Sequence, residues 1–456
     1  MHAIRGAGGN PFVPALWYLG AMAIGVGLLG CGTVGGGLVQ LLGARAREIE
    51  ARVGERIEIV DVAVRDLSKA RVSALGAVRL TANPSEVVAN PKVSIVVELM
   101  GGVTPARELL LDAIARKKPV VTANKMLLAH HGPEIFDRAR EGSVDVAFEG
   151  AVGGGIPVVR VLRDALAGDR VRRIVGILNG TSNYVLTRMQ REGLGFDEVV
   201  REAQRLGYAE EDPSLDIDGH DAAHKLVVLC ALAFGKRIEL ERIATSGLRA
   251  LEPIDHASAA RLGYVVKPLA VAADTGQTHP SLGPILALRV GPALVPKEAL
   301  LANVAGVLNA VLVEGEALGP CVLSGRGAGD EPTAVSVLGD LIDVARAARA
   351  KSSGLLTSAV RTEPASVQDA GEALAAFYLR FVVQDKPGVL GKITTTLGRA
   401  GVSIRELVQM RRADLGADVV MLTHESLSAH VTDALREIDT ESFALQRTRV
   451  FPVLSV

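Results

Sequence analysis

Residues 23–35, Ala23-Ile24-Gly25-Val26-Gly27-Leu28-Leu29-Gly30-Cys31-Gly32-Thr33-Val34-Gly35, read as a buried strand that runs into a glycine turn. An amphipathic stretch over residues 36–52 follows and is expected to form one helix. Gly30 permits the tight turn, Gly32 lets backbone approach a pyrophosphate, and Gly35 lets helix and strand pack closely. Anions suit the start of such a helix, because free N–H groups and the positive end of the helix dipole face them. A glycine signature alone is weak. Set between a strand and a helix, it predicts a dinucleotide site at Gly30, Gly32, Thr33, Val34 and Gly35.

Further apolar runs at 57–64, 93–99, 119–122 and 144–148 are short and rich in Val and Ile, with amphipathic stretches such as 104–117 between them. That alternation implies right-handed βαβ units and a buried parallel sheet, so residues 23–155 are expected to be a Rossmann domain. From 156 to 324 strand-like pieces mix with helices, which suggests an α+β domain for catalysis and dimerisation. Residues 325–350 return as a helical segment to the nucleotide-binding domain, and 351–374 lack periodicity and read as a linker. Residues 375–456 read β-α-β-β-α-β, the order of a ferredoxin-like sheet. The fold class is therefore α/β, with an α+β second domain and a small third one.

Composition narrows the function. At 456 residues the chain holds several domains, and a net charge of −1 offers no basic face for nucleic acid or an anionic membrane. Aromatic residues make up only 3%, so Ala, Val, Leu and Gly build the core. Cys31, Cys230 and Cys321 are scattered and odd in number, which points to a reducing compartment, the cytoplasm. The apolar run at 11–30 resembles a leader, but its second half is the first strand. Residues 1–22 are read instead as a disordered extension, with Met22 as the functional start.

Cofactor flavour is read at the end of the second strand, where an acid suits the ribose hydroxyls of NAD and a guanidinium suits a 2′-phosphate. Arg65 stands there, with Lys69 one turn on, so NADP(H) is favoured. Asp66 keeps NAD(H) compatible, and Arg65 is alternatively a solvated residue at a strand end. The segment 203–225, AQRLGYAEEDPSLDIDGHDAAHK, gathers many acids ahead of one lysine. Asp221 and Lys225 could be an ordinary i,i+4 surface pair. The helix beyond, 226–234, is apolar on every face, which directs Lys225 into an interior or cleft. A buried lysine needs partners, and that is a setting for proton transfer.

The same segment resembles the signature of the homoserine dehydrogenases. Matching landmarks follow in order: GxGxVG at Gly30 to Gly35, Ala123-Asn124-Lys125, EGAVGGGIP from Glu149, LNGTSNY from Leu178, and GRGAG from Gly325 with Pro332-Thr333. The D-x-P-G-x-L turn at Asp385 to Leu390 resembles that of ACT domains. The resemblance implies NAD(P)H-dependent reduction of L-aspartate 4-semialdehyde to L-homoserine, in threonine, methionine and isoleucine biosynthesis. It implies Lys225 as acid/base and Lys125 as a second active-site lysine beside the nicotinamide. It further implies Glu210, Asp216 and Asp221 on the substrate, and Gly207 and Gly327 along the cofactor. A sodium ion would sit on the carbonyls of Glu149, Val152, Gly154 and Ile156, a loop that otherwise serves as a tight crossover. The third domain would fold separately and take a small amino acid, L-threonine, at Asp385, Gly388, Val389 and Leu390 in a homodimer or homotetramer, unless it serves dimerisation alone.

Two rival readings stand beside it, one from another class and one a different NAD(P) enzyme on the same fold. A non-catalytic Rossmann and ACT sensor would not need the Lys125 and Lys225 pair. A semialdehyde dehydrogenase needs a nucleophilic cysteine. Cys31 lies inside the glycine loop, Cys230 in an apolar helix, and Cys321 has no histidine near it in sequence.

Overall fold

The computed structural model describes residues 23–69, 71–412 and 416–455. The extension expected at 1–22 lies outside them. Six strands form the first sheet: β1 (Ile24–Leu29), β2 (Ile57–Ala63), β3 (Arg79–Thr81), β4 (Ile95–Glu98), β5 (Val120–Thr122) and β6 (Val146–Ala147). They are parallel in the order β3-β2-β1-β4-β5-β6. The chain reverses its direction of winding between β1 and β4, which leaves a crevice at their carboxyl ends, the place where such sheets bind ligands. The helix expected over 36–52 is two helices, α1 (Thr33–Ala44) and a short one at Ala46–Val53, separated at Arg45. Helix α2 (Lys125–Gly142) follows β5 directly.

The second domain is built on a mainly antiparallel sheet. It comprises β7 (Val171–Ile177), β8 (Tyr264–His279), β9 (Gly283–Pro296), β10 (Leu308–Gly315) and β11 (Gly319–Arg326), ordered β11-β10-β7-β8-β9. Helices α3 (Gly180–Glu192), α4 (His220–Ala233) and α5 (Pro253–Arg261) pack against it. One face carries Ile174, Val311 and Val313, which share a core with Leu226 and Leu229 of α4 and with Leu29 and Val96 of the first sheet. The two domains are thus joined by continuous apolar packing. Helix α6 (Asp330–Arg349) packs on the first domain. Its Val337, Leu341 and Val344 pack beside Leu38 and Leu42 of α1.

Residues 351–374 do not behave as a free linker. Ser366–Val367 adds a parallel strand to the edge of β9, and Glu363–Pro364 pairs with Lys236–Arg237. Backbone hydrogen bonding to exposed sheet edges orders this segment, and edge pairing leaves no periodic trace in composition. The third domain consists of β12 (Phe377–Gln384), α7 (Val389–Arg399), β13 (Ile404–Arg411), β14 (Gly416–Thr423), α8 (Ser428–Ile438) and β15 (Arg449–Pro452). Its antiparallel sheet runs β13-β14-β12-β15. Alternation along β12 divides its side chains. Phe377, Leu379 and Phe381 face α7 and α8, whereas Tyr378 joins Val420, Leu422 and Phe451 in a core with Tyr184, Val266 and Leu294. The third domain, expected to fold separately, thus packs the helix-free face of its sheet on the catalytic domain, where large apolar side chains would otherwise be exposed.

Candidate active site

The glycine turn forms as the sequence demands. Gly30 adopts φ +95°, and a Cβ there would lie 2.8 Å from the Leu99 carbonyl oxygen, so only glycine fits this crossing of β1 and β4. Nothing lies within 4 Å of where a Gly32 Cβ would be. The backbone just before α1 is therefore open on that side, as close approach of a pyrophosphate would require. After β2, Arg65 is exposed. The Asp66 carboxylate is turned back on its own loop, accepting from Ser68 N at 2.8 Å and Ser68 Oγ at 2.6 Å. Those bonds hold its pKa below the ordinary value. Arg71, not singled out from sequence, donates to the carbonyls of Asp66 and Lys69 at 2.5 and 2.6 Å and adds a second cation beside Arg65's loop.

The two lysines arrive from different elements. Asn124 caps α2 by accepting from Leu127 N at 3.1 Å, and so orients Lys125 at the first helical position. Lys225 lies in the second turn of α4, 8% exposed, where its Nζ donates to Leu178 O at 2.6 Å and to Asp221 Oδ2 at 2.7 Å. Lys125 Nζ lies 3.1 Å from the other oxygen, Asp221 Oδ1. Asn179 caps α3 through Ser182 N and turns its own amide onto Asp216 Oδ1 at 2.7 Å and Asp221 Oδ2 at 2.9 Å. Burial alone would push the Asp221 pKa up. The charges of Lys225 and Lys125, with hydrogen bonds from Lys225 and Asn179, outweigh it and hold the carboxyl far below the usual range.

A cleft of about 280 Å³ opens over these groups, lined by Val34, Gly101, Lys125, Gly154, Lys225 and Gly327 among others. Its walls come from the glycine turn, the ends of β4 and β5, the crossover loop and the return segment. Glu98 at the end of β4 fixes one wall, accepting from Met100 N at 2.8 Å, Gly101 N at 3.2 Å and Thr122 Oγ1 at 2.7 Å. Burial raises its pKa against those bonds. Gly327 is required because a Cβ would lie 1.9 Å from Cγ of buried Asn309 on β10. Glu98, Asn179 and Asn309 were missed as site residues. Only Asn179, a cap residue before a helix, carried a local signal.

Other expected residues fall differently. Asp221, expected on the substrate's amino group, is committed to both lysines and Asn179. Asp216 is half-buried beside it, while Glu210 and Gly207 are exposed and do not line the cleft. In the crossover loop the Glu149 side chain accepts from Val159 N and Arg160 N at 2.8 and 2.9 Å, and burial raises its pKa despite them. Gly154 O accepts from Ser336 Oγ at 2.6 Å, and Gly155 N donates to Arg326 O at 3.1 Å, tying the loop to the return segment. In the third domain Asp385 and Gly388 are exposed at the start of α7, Leu390 is half-buried and Val389 is buried.

A parallel sheet with an anion-ready helix start, opening onto two lysines that share one buried carboxylate, defines an NAD(P)-dependent oxidoreductase. Residues 30–149 match the model of the homoserine dehydrogenase NAD-binding domain, 157–342 match that of homoserine dehydrogenase, and 377–440 match that of the ACT domain. The chain belongs to the homoserine dehydrogenase family. It is 43% identical to the Synechocystis homoserine dehydrogenase, over 95% of this chain and 100% of that one. The crystal structure of a homoserine dehydrogenase from Thiobacillus denitrificans superposes with a TM-score of 0.88 at 42% identity, covering 95% of this chain and 98% of that one. A hyperthermophilic archaeal homoserine dehydrogenase solved with NADPH gives 0.59 at 27% identity, over 71% and 98%.

Proposed function

We propose that this chain reduces L-aspartate 4-semialdehyde to L-homoserine with NADPH, on the cytosolic route to threonine, methionine and isoleucine. The observation that carries the reading is the Lys125–Asp221–Lys225 cluster at the base of a glycine-lined cleft. When bound, the reduced nicotinamide supplies a hydride to the aldehyde carbon. Lys225, aimed by Leu178 O and Asp221, donates a proton to the aldehyde oxygen as negative charge develops there. Acid–base help of this kind is worth typically ~10²–10⁴-fold. Lys125 adds a second positive charge beside the same oxygen. Asp221 keeps both ammonium groups in position, which leaves Asp216, joined to it through Asn179, for the α-ammonium of the substrate.

Arg65, exposed and with the neighbouring Asp66 carboxylate occupied, suits the 2′-phosphate of NADP. The archaeal relative's complex with NADPH agrees with that choice. Sodium on the carbonyls of Glu149, Val152, Gly154 and Ile156 fits the donor chemistry, since all are oxygens. No group of three or more His, Cys, Asp or Glu able to hold a metal occurs among the described residues. The ion would brace the crossover loop, and choline chloride in place of sodium chloride should lower the unfolding temperature. L-Threonine is the effector assigned to the ACT domain, in a homodimer or homotetramer. The overall reading is tested by following absorbance at the reduced-nicotinamide band with aspartate semialdehyde or homoserine and each cofactor. No turnover with either cofactor would overturn it.

A further inference from the structure

A cavity of about 820 Å³ lies between β8 and β9 of the catalytic sheet and the third domain, well away from the lysine cleft in its lining. It exists because the sheet presents small residues there. Ala273 stands opposite both Ala287 and Arg173 in the strand registers, and Gly291 follows along β9. The roof is α8, through Val431 and Leu435, with the chain around Phe377. Its volume falls in the range of small-molecule sites.

The cavity holds a half-buried guanidinium, Arg289, paired in register with Val271 and pointing to the same sheet face as Arg173. Arg173 is satisfied by Glu314 at 2.8 Å and Ser455 O at 2.9 Å. The Arg289 side chain has no hydrogen bond or ion pair among the described residues. Burial, with Arg173 nearby, pushes its pKa down to about 10. A cation left without a partner in a desolvated site is costly, and a bidentate carboxylate is the group that best matches its fork. Glu425 and Asp369 also line the cavity and offer negative charge to an ammonium.

We infer that this cavity is a binding site for a small apolar α-amino acid, its carboxylate on Arg289, its ammonium towards Glu425 and Asp369, and its side chain against Val271, Val431 and Leu435. The inference rests on the reading that the ACT domain serves an amino-acid effector. It moves the contact from the exposed turn at Asp385 to Gly388 to the seam between the ACT and catalytic domains. A ligand there touches both domains at once. Its binding would depend on their relative position, the requirement for coupling a sensor to a reaction.

Calorimetric titration of the full-length chain with L-threonine, L-isoleucine and L-methionine tests this, using wild type, Arg289→Ala, Arg289→Lys and Asp385→Ala. One of the three ligands should bind wild type and Asp385→Ala alike. Arg289→Ala should weaken it roughly 10- to 100-fold, as loss of a hydrogen bond to a charged group implies. Arg289→Lys, which keeps the charge without the fork, should fall between. If Arg289→Ala and Arg289→Lys bind as wild type while Asp385→Ala loses the ligand, the effector reading stands and the cavity is not its site. If none of the three binds wild type, both readings fall.

Discussion

Asp221 holds two ammonium groups on one buried carboxylate, and this governs what single substitutions in the cleft do. Lys225→Ala removes the proposed proton donor but leaves Lys125 to balance Asp221. The protein should stay folded and bind cofactor while turnover drops by ~10²–10⁴-fold. A folded variant retaining more than about a tenth of wild-type kcat, well above that range, would take Lys225 out of the mechanism. Because Asp221 is held far below its ordinary pKa, the stability it contributes is complete above the unfolded carboxylate value of about 3.9. That contribution is lost only as pH falls below this value, towards the folded-state pKa. Loss of activity on mild acidification must therefore come from another group. Arg65→Ala should weaken NADP binding by about tenfold or more, as a lost charge-assisted contact does, and leave NAD binding nearly unchanged. Equal losses for the two cofactors would make Arg65 a solvated strand-end residue.

Strand β12 shows how one element serves two cores. Its middle residue, Arg380, is fully buried, with Asp255 Oδ1 at 2.7 Å, Glu252 Oε1 at 3.0 Å and Asp418 Oδ1 at 3.2 Å. Tyr378 Oη donates to the same Asp255 at 2.9 Å. The guanidinium thus binds the ACT sheet to the start of α5, where Glu252 and Asp255 also form a capping box. Burial works against its charge, but the carboxylates around it outweigh that and raise the pKa. Arg380→Met would strand these acids without their cation, a change that costs about 3–5 kcal/mol. A clearly lower unfolding temperature is expected, with partial recovery when Asp255→Asn is added. An unchanged unfolding temperature would mean that the pair contributes nothing to docking.

At the scale of the whole molecule, one face of the ACT sheet is part of the catalytic domain's core. Tyr378, Val420, Leu422 and Phe451 pack with Tyr184, Leu251, Val266 and Leu294. Ending the chain after Glu372 would expose that surface, at about 1.5–3 kcal/mol for each large side chain. The shortened protein should therefore unfold at lower temperature and self-associate, as unfolding scans and light scattering would show. If it stayed monodisperse with an unchanged transition, the third domain would be an independent module after all. Among the described residues no helix is long and apolar enough to cross a membrane.

By itself the sequence determined whatever depends on near neighbours. Val- and Ile-rich runs and the Gly30-Cys31-Gly32 turn specified the parallel sheet and its nucleotide loop. Lys225 ahead of an all-apolar helix pointed to a buried, partnered lysine, and β-α-β-β-α-β order marked the third domain. These features follow from period, turn chemistry and capping, which act over a few residues. The hairpin β10–β11, the edge strand at Ser366–Val367, the partners of Asp221 and the burial of Arg380 went unread. Beyond Lys225, the partners of Asp221 could not be read because only the fold brings Lys125 and Asn179 to it, from 96 and 42 positions away in the numbering. Arg380 drew no reading of its own, because its three acids come from segments that sequence spacing cannot relate to it. Packing of one face on another, and the pairing of charges removed from water, are settled only when distant elements meet, so the tertiary structure alone decided them.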